Sequence, residues 1–384
     1  MIIRNGLLFL LESEGFIRKD IEFLDSKIER IGKNLANNNN DIEIDADGMY
    51  ITPGLIDAHS HIGLFNEGLR WEGEDGNEEI DPVTPNMCAV DGINPFDIAF
   101  KEALEGGVTT ACTGPGSANV VGGTFATISL HGNIVDNMII QSPSAMKCAF
   151  GENPKSVYGQ KGKSPVTRMG IAAILRETLV KAENYIARKE DAEYKGEHFD
   201  IDPKMEALVP VIEKEIPLKA HAHRADDICT AIRIAKEFNI NLTLEHGTEA
   251  HLIADYIAQE GISVQVGPTF GSRTKPELIN TSFETAKILS ERGVRVSLVT
   301  DHPEIPQNSL NLCAAMAVKA GMDEFEALKA ITVNPAETLN IDHMKGQLKE
   351  GLDADIVLWD GHPLDLQSKV VSVYVRGEEV YKIK

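Results

Sequence analysis

A (β/α)8 barrel carrying a small β domain is the fold this sequence predicts, and three observations predict it. Short apolar strands, among them PLKAHAH, NLTLEHG, ISVQVG and RVSLVTDH, follow one another through the middle of the chain. Between most of them lie amphipathic helical stretches of about 10–15 residues, the pattern of βα units around a parallel sheet. About eight such units fill the central part of the chain, which suits a closed barrel. The two ends have a different character, strand after strand with turns between, and are expected to pair as one β domain beside the barrel.

From the N-terminus, LLFLL, FIRKDIEFLD, KIERIG and DIEIDADGMYIT read as strands, with NNNN at 37–40 as a turn or flexible tip. The apolar run PGLIDAHSHIG at 53–63 is the first barrel strand. The acidic, turn-rich stretch LRWEGEDGNEEIDPVTPN then reads either as a lid or as a solvated loop. VTTACT is the next strand, and TGPGSANVVGGT at 113–124 is a glycine-rich loop without the spacing of a phosphate-binding motif. It is read either as a loop closely approaching the site or as a structural turn. PSAMKCAFGENPK follows as a strand, and RMGIAAILRETLVKAENYIARKE and PKMEALVPVIEKEI as helices. DDICTAIRIAKEF, EAHLIADYIAQE and FETAKILSERG are the helices between the later strands, and strands return at ADIVLWD and KVVSVYVRGEEVYKI.

With 37 basic and 59 acidic residues the formal charge is −22, and no basic cluster is present. Nucleic acid and anionic membranes are therefore poor partners for this surface. The five cysteines are scattered without CxxC spacing, which excludes a thiolate zinc site and fits a reducing compartment. The apolar run at the start is too short for a signal peptide or a membrane span. A cytoplasmic protein acting on a small-molecule substrate, and forming a homo-oligomer, is expected.

The chemistry is carried by histidines at strand ends. Alternation along a strand puts His59 and His61 on one face, about 6–7 Å apart, where two imidazoles can converge on one ion. His221 and His223 close PLKAHAH, His246 closes NLTLEHG, and Asp301 closes RVSLVTD, with His302 next to it. Six of the eleven histidines thus fall at the end of a barrel where catalytic sites form. Imidazole and carboxylate donors without thiolate suit a divalent metal, zinc above all, with manganese or iron as alternatives. His131, His198, His251, His343 and His362 read as structural or surface residues.

PGLIDAHSHIG, KAHAH, LEHGT and VTDHP resemble the metal-binding strand ends of the amidohydrolase superfamily, nearest to its imidazolonepropionase-like and prolidase-like branch. TVNPAETLNID and GQLKEGLDADIVLWDGHPL resemble its closing helix and returning β segment, with LNID a departure from the usual Leu-Gly-Leu. The resemblance implies a barrel over residues 52–345 and a small β-sandwich of residues 1–51 and 346–384. It implies that His59, His61 and Asp301 hold one metal, while His221 and His246 hold a second or serve the first.

In two-metal members a carbamylated lysine or a glutamate bridges the ions. Parity turns Lys147 inward, with Met146, Cys148 and Phe150 facing the helices, and Glu152 is the competing bridge. His223, Arg224 and His302 neighbour these positions and are candidate substrate contacts. The function expected is hydrolysis of a carbon–nitrogen bond in an amide, cyclic amide or dipeptide-like molecule by metal-activated water. Asp301 shuttles the proton, and the metal with His246 or His223 stabilises the oxyanion. A deaminase of a nitrogen heterocycle is the neighbouring alternative, and a silent barrel scaffold the remote one.

Overall fold

The computed structural model describes residues 1–37 and 42–384, so most of the turn expected at 37–40 lies outside the described residues. Five strands come first: β1 (Ile2–Leu10), β2 (Gly15–Leu24), β3 (Lys27–Gly32), β4 (Glu43–Asp45) and β5 (Tyr50–Pro53). The barrel strands follow as β6 (Leu55–Ser60), β7 (Val108–Thr113), β8 (Val121–Ser129), β9 (Ile139–Ala149), β10 (Leu218–Ala222), β11 (Leu242–His246), β12 (Ser263–Val266) and β13 (Val296–Leu298). The chain ends with β14 (Ile356–Trp359), β15 (Val370–Val375) and β16 (Glu378–Lys382).

Strands from both ends form one sheet in the order β16-β15-β14-β5-β1-β2-β3, with β4 pairing β1. Its own apolar core includes Ile3, Leu8, Ile21, Ile51, Ile356 and Leu358. Polar pairs tie the two ends together. Lys27 Nζ lies 2.7 Å from Asp353, whose other oxygen is 3.2 Å from Lys345, and Trp359 Nε1 donates to Thr52 Oγ1 at 3.0 Å.

The second sheet runs β13-β12-β11-β10-β9-β8-β7-β6. One strand departs from the expected all-parallel arrangement: β8 pairs antiparallel with both β7 and β9. The cause is connection length. Residues 114–120 and 130–138 are all that join β8 to its neighbours, whereas a parallel crossover needs a dozen residues or more. The glycine-rich stretch is thus the turn into β8, and it is also stitched to the acidic loop. Gly116 N donates to Gly76 O at 2.8 Å, and a Cβ on Gly116 would meet the Asn77 amide at 2.6 Å.

Helices cover the outside. Ile98–Glu105 starts at Asp97, whose side chain accepts Ala99 N–H at 3.2 Å, a cap that satisfies one orphan donor. Ala225–Glu237 carries Asp226 and Asp227 in its first turn, where acids suit the helix dipole. Ile171 and Leu175 of the helix Arg168–Lys195, with Ile228 and Ile232 of Ala225–Glu237, share one core with Met146, Cys148, Leu218 and Ala220 of the strands. The alternate residues Lys147, Lys219 and His221 are left facing inward.

Asp57 fastens the last strand to the first. Its fully buried carboxylate accepts Thr300 Oγ1–H at 2.5 Å, Gln307 Nε2–H at 3.1 Å and the backbone N–H of His59 at 3.2 Å. Backbone bonds from Asp301 N to His59 O (3.2 Å) and from His61 N to His302 O (2.9 Å) complete the closure. That seam is where the strand-end ligands meet. No helix among the described residues is long and apolar enough to cross a membrane.

Candidate metal centre

Local backbone geometry aims the donors. Along β11, alternation places Glu245 inward and His246 toward the helices, yet His246 has φ +71° and swings its ring back over the barrel mouth. Asp301 has φ +54° and does the same at the end of the last strand. His59, His246 and Asp301 offer donor atoms all within 4.8 Å of one another, and so do His221, His223 and His246. His61 joins the first group, with Nε2 at 3.2 Å from Asp301 Oδ1, while His59 Nε2 is at 3.4 Å. All of these residues are buried, Asp301 the most open at 8% exposed.

Outer contacts fix the rings. His61 Nδ1–H donates to Gly114 O at 2.6 Å and His246 Nδ1–H to Gly267 O at 2.8 Å. A carbonyl only accepts, so both neutral rings keep an Nε2 lone pair for an ion. His221 Nδ1 bonds Ser117 Oγ at 2.8 Å and His223 Nδ1 bonds Thr248 Oγ1 at 2.7 Å. The remaining atoms of His59 Nε2, His221 Nε2, His246 Nε2 and Asp301 Oδ1 are buried without hydrogen-bond partners. Orphaned polar atoms converging in this way are costly unless a cation meets them. The donor set therefore fits a divalent metal.

Electrostatics agree. Burial pushes His221 and His246 well below the ordinary imidazole range and His223 down to about 3, so these rings are neutral ligands. Burial alone would raise Asp301, but His246, His59 and His61 hold it well below the carboxylate range. Burial lowers Lys147 to about 8, against the pull of Asp301 and Glu245. Its Nζ is fully buried without a hydrogen-bond partner, 5.5 Å from the centre of the Phe125 ring.

Three expected contacts are not brought to the site. Arg224 is exposed and pairs with Asp226 at 2.8 Å, because it stands just before the helix Ala225–Glu237 and turns to that helix's first acid. Glu152 heads the helix Glu152–Gln160, half-buried and outside both donor groups, since the chain turns away at Gly151. His302 is buried behind His61 and does not line the cavity, because its backbone is held in the barrel seam. His223, in contrast, lines the cavity with His61, His221 and Asp301.

Sequence reading missed three charged residues. Glu245 Oε2 lies 2.8 Å from His59 Nδ1 and 2.9 Å from Lys219 Nζ, and Thr243 Oγ1–H donates to Oε1 at 2.8 Å. Polar alternation in LTLEH, with Thr243 and Glu245 opposite Leu242 and Leu244, was the available signal. Lys219 also donates to Ala58 O at 2.9 Å. Glu277, in the loop after β12, is 2% exposed, and burial raises its carboxyl to about 7.

The cavity above these donors has a volume of about 300 Å³, walled by Phe65, Pro268 and Leu278 among apolar groups and by Asn77, Ser117, Asn153 and Lys275 among polar ones. That is room for a small ligand. A barrel whose strand ends carry such a donor set defines the class of hydrolases to which the comparisons point. The Amidohydrolase family profile matches residues 204–380. A solved amidohydrolase from Thermotoga maritima MSB8 is 44% identical, with all of both chains covered and a TM-score of 0.97.

Amidohydrolase tasK of Hapsidospora irregularis is 29% identical over 87% of this chain, which spans only 36% of that relative. Adenine deaminase of Clostridium perfringens is 25% identical over 99% of this chain and 59% of its own length. Imidazolonepropionase of Bacillus cytotoxicus is 24% identical over 83% of this chain and 77% of its own. The chain belongs to the amidohydrolase family.

Proposed function

We propose that this protein hydrolyses a carbon–nitrogen bond of a small amide, cyclic amide or dipeptide-like molecule, using a divalent metal. The observation that carries this reading is the convergence of unpartnered, buried His59, His221, His246 and Asp301 atoms, of which His221 and Asp301 line a cavity. His59, His61 and Asp301 would hold one ion, and His221 and His246 a second, with a carbamylated Lys147 between them. Zinc suits imidazole and carboxylate donors in a four-coordinate site. These residues would hold a metal able to supply an acidified water and a Lewis acid for the bond to be cut.

The chain's own residues do the rest. Asp301 reaches the cavity and stays ionised among the imidazoles, so it accepts a proton from the attacking water and returns it to the leaving nitrogen. Phe65, Pro268 and Leu278 exclude water, and Asn77 and Asn153 orient polar groups of the substrate. Residues 52–345 act as the catalytic barrel, with 1–51 and 346–384 as the small β domain. Five free cysteines fit a reducing, cytoplasmic setting.

Deamination of a nitrogen heterocycle is the second reading, favoured by the similarity of 99% of this chain to 59% of an adenine deaminase. One panel separates the two: dipeptides, N-acyl amino acids, cyclic amides and amino-substituted heterocycles, each scored for amine or ammonia release. Turnover of the first three classes supports amide hydrolysis, and ammonia from heterocycles alone supports deamination. Silence across the panel by metal-loaded protein counts against both.

A further inference from the structure

Glu277 sits on the short turn Pro276–Leu278 after β12, with its carboxylate against the imidazoles of His221 and His223. Oε2 accepts the backbone N–H of Glu152 at 3.1 Å and lies 3.9 Å from Arg168, whose guanidinium is committed to Asp227. Oε1 is buried, has no hydrogen-bond partner, and lies 4.0 Å from Nε2 of both His221 and His223. The backbone makes room for it. At Gly151, with φ +81°, a Cβ would meet Glu277 Oε2 at 2.5 Å.

A separation of 4.0 Å is too long for a hydrogen bond, which spans about 2.7–3.2 Å. It matches two donors on one ion, since ligands about 2.0–2.2 Å from a common zinc stand no more than about 4.3 Å apart. An unpartnered carboxylate oxygen facing two neutral imidazoles is costly, and a cation between them removes the cost.

We propose that Glu277 is a metal ligand, forming with His221 and His223 a divalent-cation site on the β10 side of the barrel. The inference rests on the metal-dependent reading above and changes its second position. That ion has an anionic donor of its own and does not require a carbamate on Lys147. His223 becomes a ligand in place of the oxyanion role expected from the sequence.

Metal-stripped protein titrated with Co²⁺, followed by visible absorption and equilibrium dialysis, tests it. Wild type should take up two equivalents, and Glu277→Gln should keep one and bind the other at least about tenfold more weakly, with an altered spectrum. Two equivalents with wild-type affinity and spectrum in Glu277→Gln overturn the inference while leaving the metal reading intact. No Co²⁺ bound by wild type removes the metal reading itself. Should the variant not fold, anomalous diffraction from wild-type crystals soaked in Zn²⁺ decides. An ion about 2.0–2.2 Å from Glu277 Oε1 and His223 Nε2 supports the assignment, and a carboxylate farther than about 3 Å from any ion overturns it.

Discussion

Glu245 Oε2 stands 2.8 Å from His59 Nδ1, with Lys219 Nζ 2.9 Å away on its other side. All three side chains are buried, and burial, which alone would raise Glu245, is overcome by Lys219 and His59, so the carboxylate is held ionised well below its usual range. The arrangement points His59 Nε2 at Asp301 and gives the buried Lys219 a counter-charge beneath the cluster of strand-end donors.

Glu245→Gln keeps the size but leaves Lys219 without a counter-charge. Stability should fall by about 3–5 kcal/mol in denaturant titration, the cost of breaking a buried pair. Metal affinity should fall about 10–100-fold as His59 loses its orienting partner. Adding Lys219→Met should restore stability and not affinity. Unchanged metal affinity in the single variant would mean that Glu245 serves packing alone.

Asp301→Asn retains an oxygen for coordination and cannot accept a proton. Turnover should drop by about 10²–10⁴, the usual worth of a general acid–base group. Bound metal should fall much less, because His59 and His61 remain. Near-native turnover would end the proton-shuttle role.

Lys147 and Glu152 are separated by their variants. If a carbamylated Lys147 bridges two ions, Lys147→Ala should lower the metal stoichiometry, and Glu152→Ala should leave it unchanged, since Glu152 heads an outer helix and does not line the cavity. The reverse result would exchange their roles.

Much of this site is legible in the sequence because strand ends announce themselves. HSH after an apolar run, HAH and EHG after β-rich segments, and TDH after RVSLV each mark one barrel strand. Glu277 gives no such signal, for it sits in SRTKPELIN, a polar turn that reaches the histidines only through tertiary folding. Glu245 was hidden by its neighbour, since His246 enters the site by a left-handed turn that alternation does not foretell. Strand β8 was not legible, because its first residues read as the end of the glycine-rich loop, and the position of Arg224 depended on its neighbour Asp226.

Lys345 is 3% exposed between Asp353 and Asp355, joining the returning strand to the small β domain. Lys345→Met should cost about 3–5 kcal/mol in urea unfolding by leaving buried Asp355 without its cation, while Asp353 keeps Lys27 at 2.7 Å. Burial alone would raise Asp353, but Lys27 and Lys345 hold it below the ordinary carboxylate value. Its contribution is therefore present above an unfolded pKa of about 3.9 and lost as pH falls below it. The stability gap between wild type and Asp353→Asn should shrink from pH 7 to pH 3. A gap that stays constant would remove the linkage.

Whether these strand-end donors hold metal is decided by elemental analysis of the purified protein. Protein prepared without chelator, or stripped and reconstituted with Zn²⁺, should carry one or two divalent ions per chain, and His59→Ala with His61→Ala should lose at least one. Protein that carries no metal as purified and takes up none on reconstitution would contradict the account.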